Sequence, residues 1–231
     1  MTTYSIVARD TSGALGVAVH SHWLSVGSVV PWVEAGVGAV AIQSVPNPTH
    51  GPLALQLLRD GRGAADVLHQ LLADDAETDF RQIAIVDKQR GVAAHTGRSC
   101  IPEAGHRTGD GLSAQANLMA RDTVWDAMAE AFEKADGDLA ERLLQSLYAA
   151  EAEGGDIRGR QSAAVVVVAA EPSGDRLFDL RVEDDPDPVT ELGRLIGLRR
   201  AYLELSRGDD LLAQGNLDAA LSAYRVAAEM L

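Results

Sequence analysis

Cysteine is almost missing from this chain. Cys100 is the only one in 231 residues, so no internal disulfide can form and a reducing cytoplasm is the expected compartment. Lysine is scarce as well, limited to Lys88 and Lys134. With 20 basic residues against 34 acidic ones, the net charge of -14 repels nucleic acid and anionic membranes, and no local basic patch offsets it. Long apolar runs are also lacking. The most apolar window, residues 24–42, is broken by Pro31, Glu34 and three glycines, which excludes a membrane span. The first residues lack the basic-then-apolar pattern of a signal peptide, so none is expected.

What is present is a globular composition, 46% hydrophobic and long enough for one domain with a short appendage. Two β-branched, apolar-rich runs flank Asp10-Thr-Ser-Gly13, and a polar, glycine-containing turn between such runs predicts a β-hairpin over residues 2–21. More strands are expected at Val26 to Val30 and Val37 to Ile42. Helical periods follow at Leu53 to Leu58 and Val67 to Leu72, and a second hairpin at Gln82 to Val86 and Gly91 to His95. Residues 101–111 are glycine-rich and partly extended. A helix with Trp125, Met128, Ala129 and Phe132 on one stripe is expected after a capping Asp122, then another from Leu139 to Ala152. The apolar run Ser162 to Ala170 reads as a strand buried on both faces, paired with Phe178 to Val182 through a turn at Glu171 to Asp175. Strands, helix pair, strands, helix pair, strands: this order predicts a layered α+β fold.

The acidic, proline-bearing run Glu183 to Pro188 reads as a boundary between a main domain, residues 1–185, and a helical extension, residues 186–231. Gly208, Leu211, Gly215, Ala220, Tyr224 and Ala227 are spaced as in a single tetratricopeptide repeat. One such unit cannot bury its own apolar face, so a homodimer is expected.

Several residues could carry chemistry. Removal of Met1 would leave Thr2 with its hydroxyl beside its own α-amine, a base of pKa about 7.7 to 8.0. Gly154 to Ala164 delivers Asp156, Arg158, Arg160, Gln161 and Ser162 into the buried strand, and a guanidinium fork suits a planar anion. His95 at a strand end is a candidate base or binding edge, and Gln115 and Asn117 supply amides for a polar substrate. His20 and His22 share a strand face, yet no Cys cluster or helical His pair accompanies them, so no metal and no cofactor is expected. Cys100 has nothing adjacent that would lower its pKa.

These stretches also carry a resemblance. Tyr4-Ser-Ile-Val-Ala-Arg9, Val26-Gly-Ser-Val-Val-Pro-Trp32, Ala35-Gly-Val-Gly-Ala39, Ala94-His-Thr-Gly97, Ala104-Gly-His106, Gln115-Ala-Asn117 and Gly154-Gly-Asp156 with Arg158-Gly-Arg-Gln-Ser-Ala-Ala164 resemble the DUF1028 family. The resemblance implies a four-layer αββα sandwich like that of N-terminal-nucleophile hydrolases, without implying a substrate. The family's leading threonine falls on Thr3, one residue inside the terminus that Met1 removal would create. Proteasome-like relatives of that fold tune the nucleophile with a lysine, and neither lysine here lies near the expected strands, leaving Arg9, His20 or Arg160 to supply positive field. The function expected on this basis is hydrolysis of a small, anionic amide or cyclic amide, with Thr2 or Thr3 as nucleophile, Asn117 at the oxyanion and Arg158 or Arg160 on a carboxylate. A non-catalytic small-molecule binder on the same scaffold is the alternative.

Overall fold

The computed structural model describes residues 3–171 and 176–231. Thr2 and most of the Glu171 to Asp175 turn lie outside them. The elements are β1 (Thr3–Arg9), β2 (Leu15–Ser21), β3 (Pro31–Glu34), β4 (Gly38–Ser44), α1 (His50–Arg59), α2 (Ala64–Ala73), β5 (Arg81–Asp87), β6 (Val92–Thr96), β7 (Gly105–Gly109), β8 (Leu112–Asn117), α3 (Val124–Lys134), α4 (Leu139–Ala152), β9 (Ser162–Val168), β10 (Arg176–Val182), α5 (Pro188–Ala213) and α6 (Leu217–Met230). They form a mixed α+β fold with two antiparallel sheets, ordered β10-β9-β2-β1-β8-β7 and β3-β4-β5-β6.

The period of two along each strand decides what the sheets bury. On β1, Tyr4, Ile6 and Ala8 join a core with Met128, Leu143 and Leu147 of α3 and α4, while Val7 joins Val17, Ala41, Ala84 and Val86 in a core shared by both sheets. A third core lies between the four-stranded sheet and α1 and α2, built on Val40, Ile42, Ile83 and Ile85. Strand β9 is buried throughout, as its unbroken apolar run predicts. Gly51 opens α1 flat against Trp32: an added Cβ would sit 2.3 Å from that ring, so the helix packs this closely only with glycine there.

Three local expectations are corrected. Val26 to Val30 is not a strand: Val26 to Ser28 makes a 3-10 turn after Ser25, which is left-handed at φ 57, and the strand begins at Pro31. Ser162 holds that turn, because its hydroxyl accepts the Val26 N–H at 3.0 Å. Gln115 to Asn117, where the sequence reading expects no strand, lie in β8, whose alternating small residues pair with β1. Asp122 does not cap α3; the N-cap position is Thr123, which makes no side-chain cap bond. Helix α4 is capped as capping chemistry requires, with the Asp138 carboxylate accepting the Glu141 N–H at 2.8 Å.

The helical extension is anchored rather than free-standing at its start. Val189, Leu192 and Ile196 of α5 are buried in the core of α3 and α4. Further along, α5 turns to α6, and Gly208 lets the Tyr224 ring lie against its backbone.

Candidate functional site

The first described residue of β1 sits where the two sheets meet, and the polar residues gather there. Register places Thr3 opposite Asn117 on β8, and the Thr3 hydroxyl lies 3.4 Å from the Ser21 hydroxyl at the end of β2. Thr3, Ser5, Ser21, Gln43, Gln82, Ser113, Gln115 and Asn117 are all fully buried. Each stands at an alternate strand position, so each points into the layer between the sheets, and burial obliges each to find partners.

They find them in one continuous row with a fixed sense. Ser113 donates to Gln115 Oε1 (2.8 Å), Gln115 Nε2 to Ser5 Oγ (2.6 Å), and Ser5 to Gln43 Oε1 (2.6 Å). Gln43 Nε2 donates to Gln82 Oε1 (2.7 Å) and to the Thr3 carbonyl (3.3 Å). Gln82 Nε2 donates to Thr96 Oγ1 (2.9 Å) and to the carbonyls of Gly105 (3.1 Å) and Ala116 (2.9 Å). Carbonyls can only accept, so they fix which end of Gln43 and of Gln82 is nitrogen. Asn117 Nδ2 donates to Gln82 Oε1 (2.9 Å) and to the Thr3 carbonyl (3.4 Å). Its Oδ1 is buried without a partner among the described residues. The atom that Asn117 offers at this end is thus an acceptor, and its amide hydrogens are already committed. That is opposite to what stabilising an oxyanion requires.

On the helix-facing side of the same sheet end lies a second cluster. Tyr4 and His20 are cross-strand partners whose rings stack at 4.7 Å. The Tyr4 hydroxyl donates to Glu151, which also pairs with Arg160, and Arg160 reaches Asp187 at 3.5 Å. Burial raises the Tyr4 pKa well above its ordinary value, and the Glu151 carboxylate adds to this. Asp156 is held by its own turn: it accepts from the Arg158 N–H (2.9 Å) and guanidinium (3.1 Å) and from the His22 N–H (3.0 Å). Among the described residues neither ring nitrogen of His20 has a partner, and desolvation lowers its pKa to about 3. It is neutral near pH 7 and on the opposite face of the sheet from Thr3, so it lends Thr3 no positive field.

Thr3, Gln115 and Asn117 therefore come together, as do His20, Asp156, Arg158 and Arg160. Others lie elsewhere. Arg9 is at the far end of β1, about 20 Å along the strand from Thr3 at the usual rise per residue. His95 turns away from the layer between the sheets and bonds the Thr78 carbonyl at 2.9 Å. Gln161 bonds Asp184 at 3.1 Å, and Ser162 serves the turn described above. No group of three or more His, Cys, Asp or Glu side chains able to hold a metal occurs among the described residues. Sequence reasoning missed Ser5, Gln43, Gln82 and His106. The signal for three of them was a lone polar residue at an inward position of an otherwise apolar strand.

Fold and site together define an α+β protein with a sealed polar row between two sheets and a threonine at its head. The chain belongs to DUF1028, a family of unknown function, which residues 3–192 match. A crystal structure of a DUF1028 protein from Silicibacter pomeroyi is similar, with 32% identity and TM-score 0.77, covering 84% of this chain and 88% of that one. Anbu (ancestral beta-subunit) from Yersinia bercovieri is 12% identical with TM-score 0.41, over 91% of this chain and 97% of that one. The Gly-1 mutant of Anbu from Hyphomicrobium sp. strain MC1 is 11% identical with TM-score 0.41, over 87% and 96%. Likeness that distant contributes nothing to a functional assignment. No curated protein matches the chain. Among the described residues, no helix is long and apolar enough to cross a membrane.

Proposed function

We propose that this protein is an amidohydrolase of the N-terminal-nucleophile type, cleaving the C–N bond of a small polar amide. The observation that carries this reading is the position of Thr3: it heads a central strand, and its hydroxyl meets a second hydroxyl in a buried niche beside an amide oxygen without a partner among the described residues. The three stacked cores support the αββα sandwich on which such enzymes are built. After Met1 is removed, the α-amine of Thr2 has a pKa of about 7.7 to 8.0 and accepts a proton from a threonine hydroxyl. The oxygen attacks the substrate carbonyl, the amine passes the proton to the departing nitrogen, and water then cleaves the ester. Asn117 Oδ1 receives an N–H of the substrate rather than its oxyanion.

The anionic preference expected from Arg158 and Arg160 loses its basis, because Asp156, Glu151 and Asp187 already neutralise both guanidiniums. A non-catalytic binder on the same scaffold is the second reading, favoured by the complete burial of Thr3 and by the absence of lysine from the site. In the extension, exposed Leu217, Leu221 and Met230 support a homodimer, and the Gly208 contact supports a tetratricopeptide-like hairpin.

Intact mass of the purified protein is the first test. A mass short by one methionine leaves Thr2 as the terminal amine; a screen of small amides with Thr2→Ala and Thr3→Ala then reads the rest. Loss of turnover with ligand binding retained supports the enzyme. Retention of Met1 in an active protein removes the amine and refutes the mechanism.

A further inference from the structure

Beyond the row of amides lies a cleft of about 570 Å³, within the range of small-molecule sites, that the hydrolase reading does not use. Its walls include Arg98, Glu103, His106, Thr96, Gly105 and Trp125. The amide row ends on His106. Gln82 donates into Thr96 Oγ1, and the Thr96 hydroxyl also bonds His106 Nδ1, 2.9 Å away. With the Thr96 hydrogen on Nδ1, the imidazole proton sits on Nε2 as a donor. Burial, with nearby His95, lowers the His106 pKa and keeps the ring neutral.

Two opposite charges complete the cleft. Arg98 is 84% exposed at its side chain and holds Asp79 through Nε alone (2.7 Å), so its terminal nitrogens have no described partner. Glu103 is held in the left-handed region at φ 54, its carbonyl accepting the Met119 N–H, and among the described residues nothing pairs with its carboxylate. A non-glycine residue at such an angle costs energy that the surrounding bonds must offset. Trp125 lies against Gly105, where an added Cβ would come within 2.5 Å of the ring, so the indole reaches the wall only because that residue is glycine.

We propose that this cleft binds a zwitterionic α-amino acid with an aromatic or other apolar side chain. Arg98 and His106 Nε2–H take the carboxylate, Glu103 takes the ammonium, and the side chain lies on Trp125. The site is independent of whether Thr2 or Thr3 is a nucleophile.

Titration calorimetry of the full chain with L-phenylalanine, L-phenylalaninamide and N-acetyl-L-phenylalanine tests this. L-Phenylalanine binds saturably at one site. Removing the carboxylate or the ammonium weakens binding roughly tenfold each, as does Arg98→Gln or Glu103→Gln. Both residues are exposed, so the variants melt as the native protein does, which separates lost binding from lost folding. Absence of saturable L-phenylalanine binding overturns the proposal. So does equal binding of all three probes, or binding that neither variant alters.

Discussion

Replacing His20 by phenylalanine should make the protein less sensitive to acid. Both ring nitrogens are buried without partners among the described residues, and burial lowers the pKa to about 3 from the ordinary 6.5. Below pH 6.5 the unfolded chain takes up a proton here while the folded chain does not. Stability therefore falls as pH drops through 6.5, and keeps falling until the folded pKa is reached. Each pH unit in that window is worth about 1.4 kcal/mol, so between pH 7 and pH 5 this one imidazole removes about 2 kcal/mol. Phenylalanine keeps a ring stacked on Tyr4 and has nothing to protonate. Urea unfolding of both proteins at the two pH values gives the difference of differences, in which His50 and the other histidines cancel. Asp75, whose pKa is lowered to about 2 by its bond with Arg81, matters only below about pH 4 and stays out of the comparison. A variant that loses as much stability as the native protein would refute the reasoning.

Other consequences are checked in the same way. Gln82→Leu removes the residue on which Gln43, Asn117 and Thr96 converge and should cost about 2 to 4 kcal/mol in urea unfolding, because buried donors are left unmade. Its second sign is nuclear magnetic resonance: the His106 ring-nitrogen shifts should move, because Thr96, which bonds both Gln82 and His106, loses the Gln82 donor. Arg81→Ala strands the buried Asp75 carboxylate, which it bonds at 2.7 Å; the loss should be about 3 to 5 kcal/mol, read by thermal melting. Deleting residues 214–231 should leave the melting of the main body unchanged, whereas deletion from residue 188 removes Leu192 and Ile196 from its core and should unfold it.

The sheets and helices were legible because long apolar periods express burial directly, as in β9 and in the Trp125 to Phe132 stripe. Val26 to Val30 misled because Val26 and Val30 are buried in and beside a turn held by Ser162, a partner 136 residues away. Asn117 shows the same limit within the site. Its type announced an amide, but which end of that amide is spent depends on carbonyls from β1 and on Gln82. Arg158 and Arg160 read as ligand-binding cations, yet carboxylates from α4 and from their own turn had already claimed them. Residue type is written in the chain; which partner satisfies it is decided by the sheet register.

A row of carboxamides transmits orientation without transmitting protons, since no amide in it gains or loses one near neutral pH. Acid–base events at Thr3 and at His106 are therefore insulated from each other, although one hydrogen-bonded line joins them. What can travel along that line is its sense. Turning one amide over would set donor against donor on one side and acceptor against acceptor on the other, and the carbonyls of Thr3, Gly105 and Ala116 can only accept, so the row keeps one sense and the two ends of the sheet interface share a single orientation.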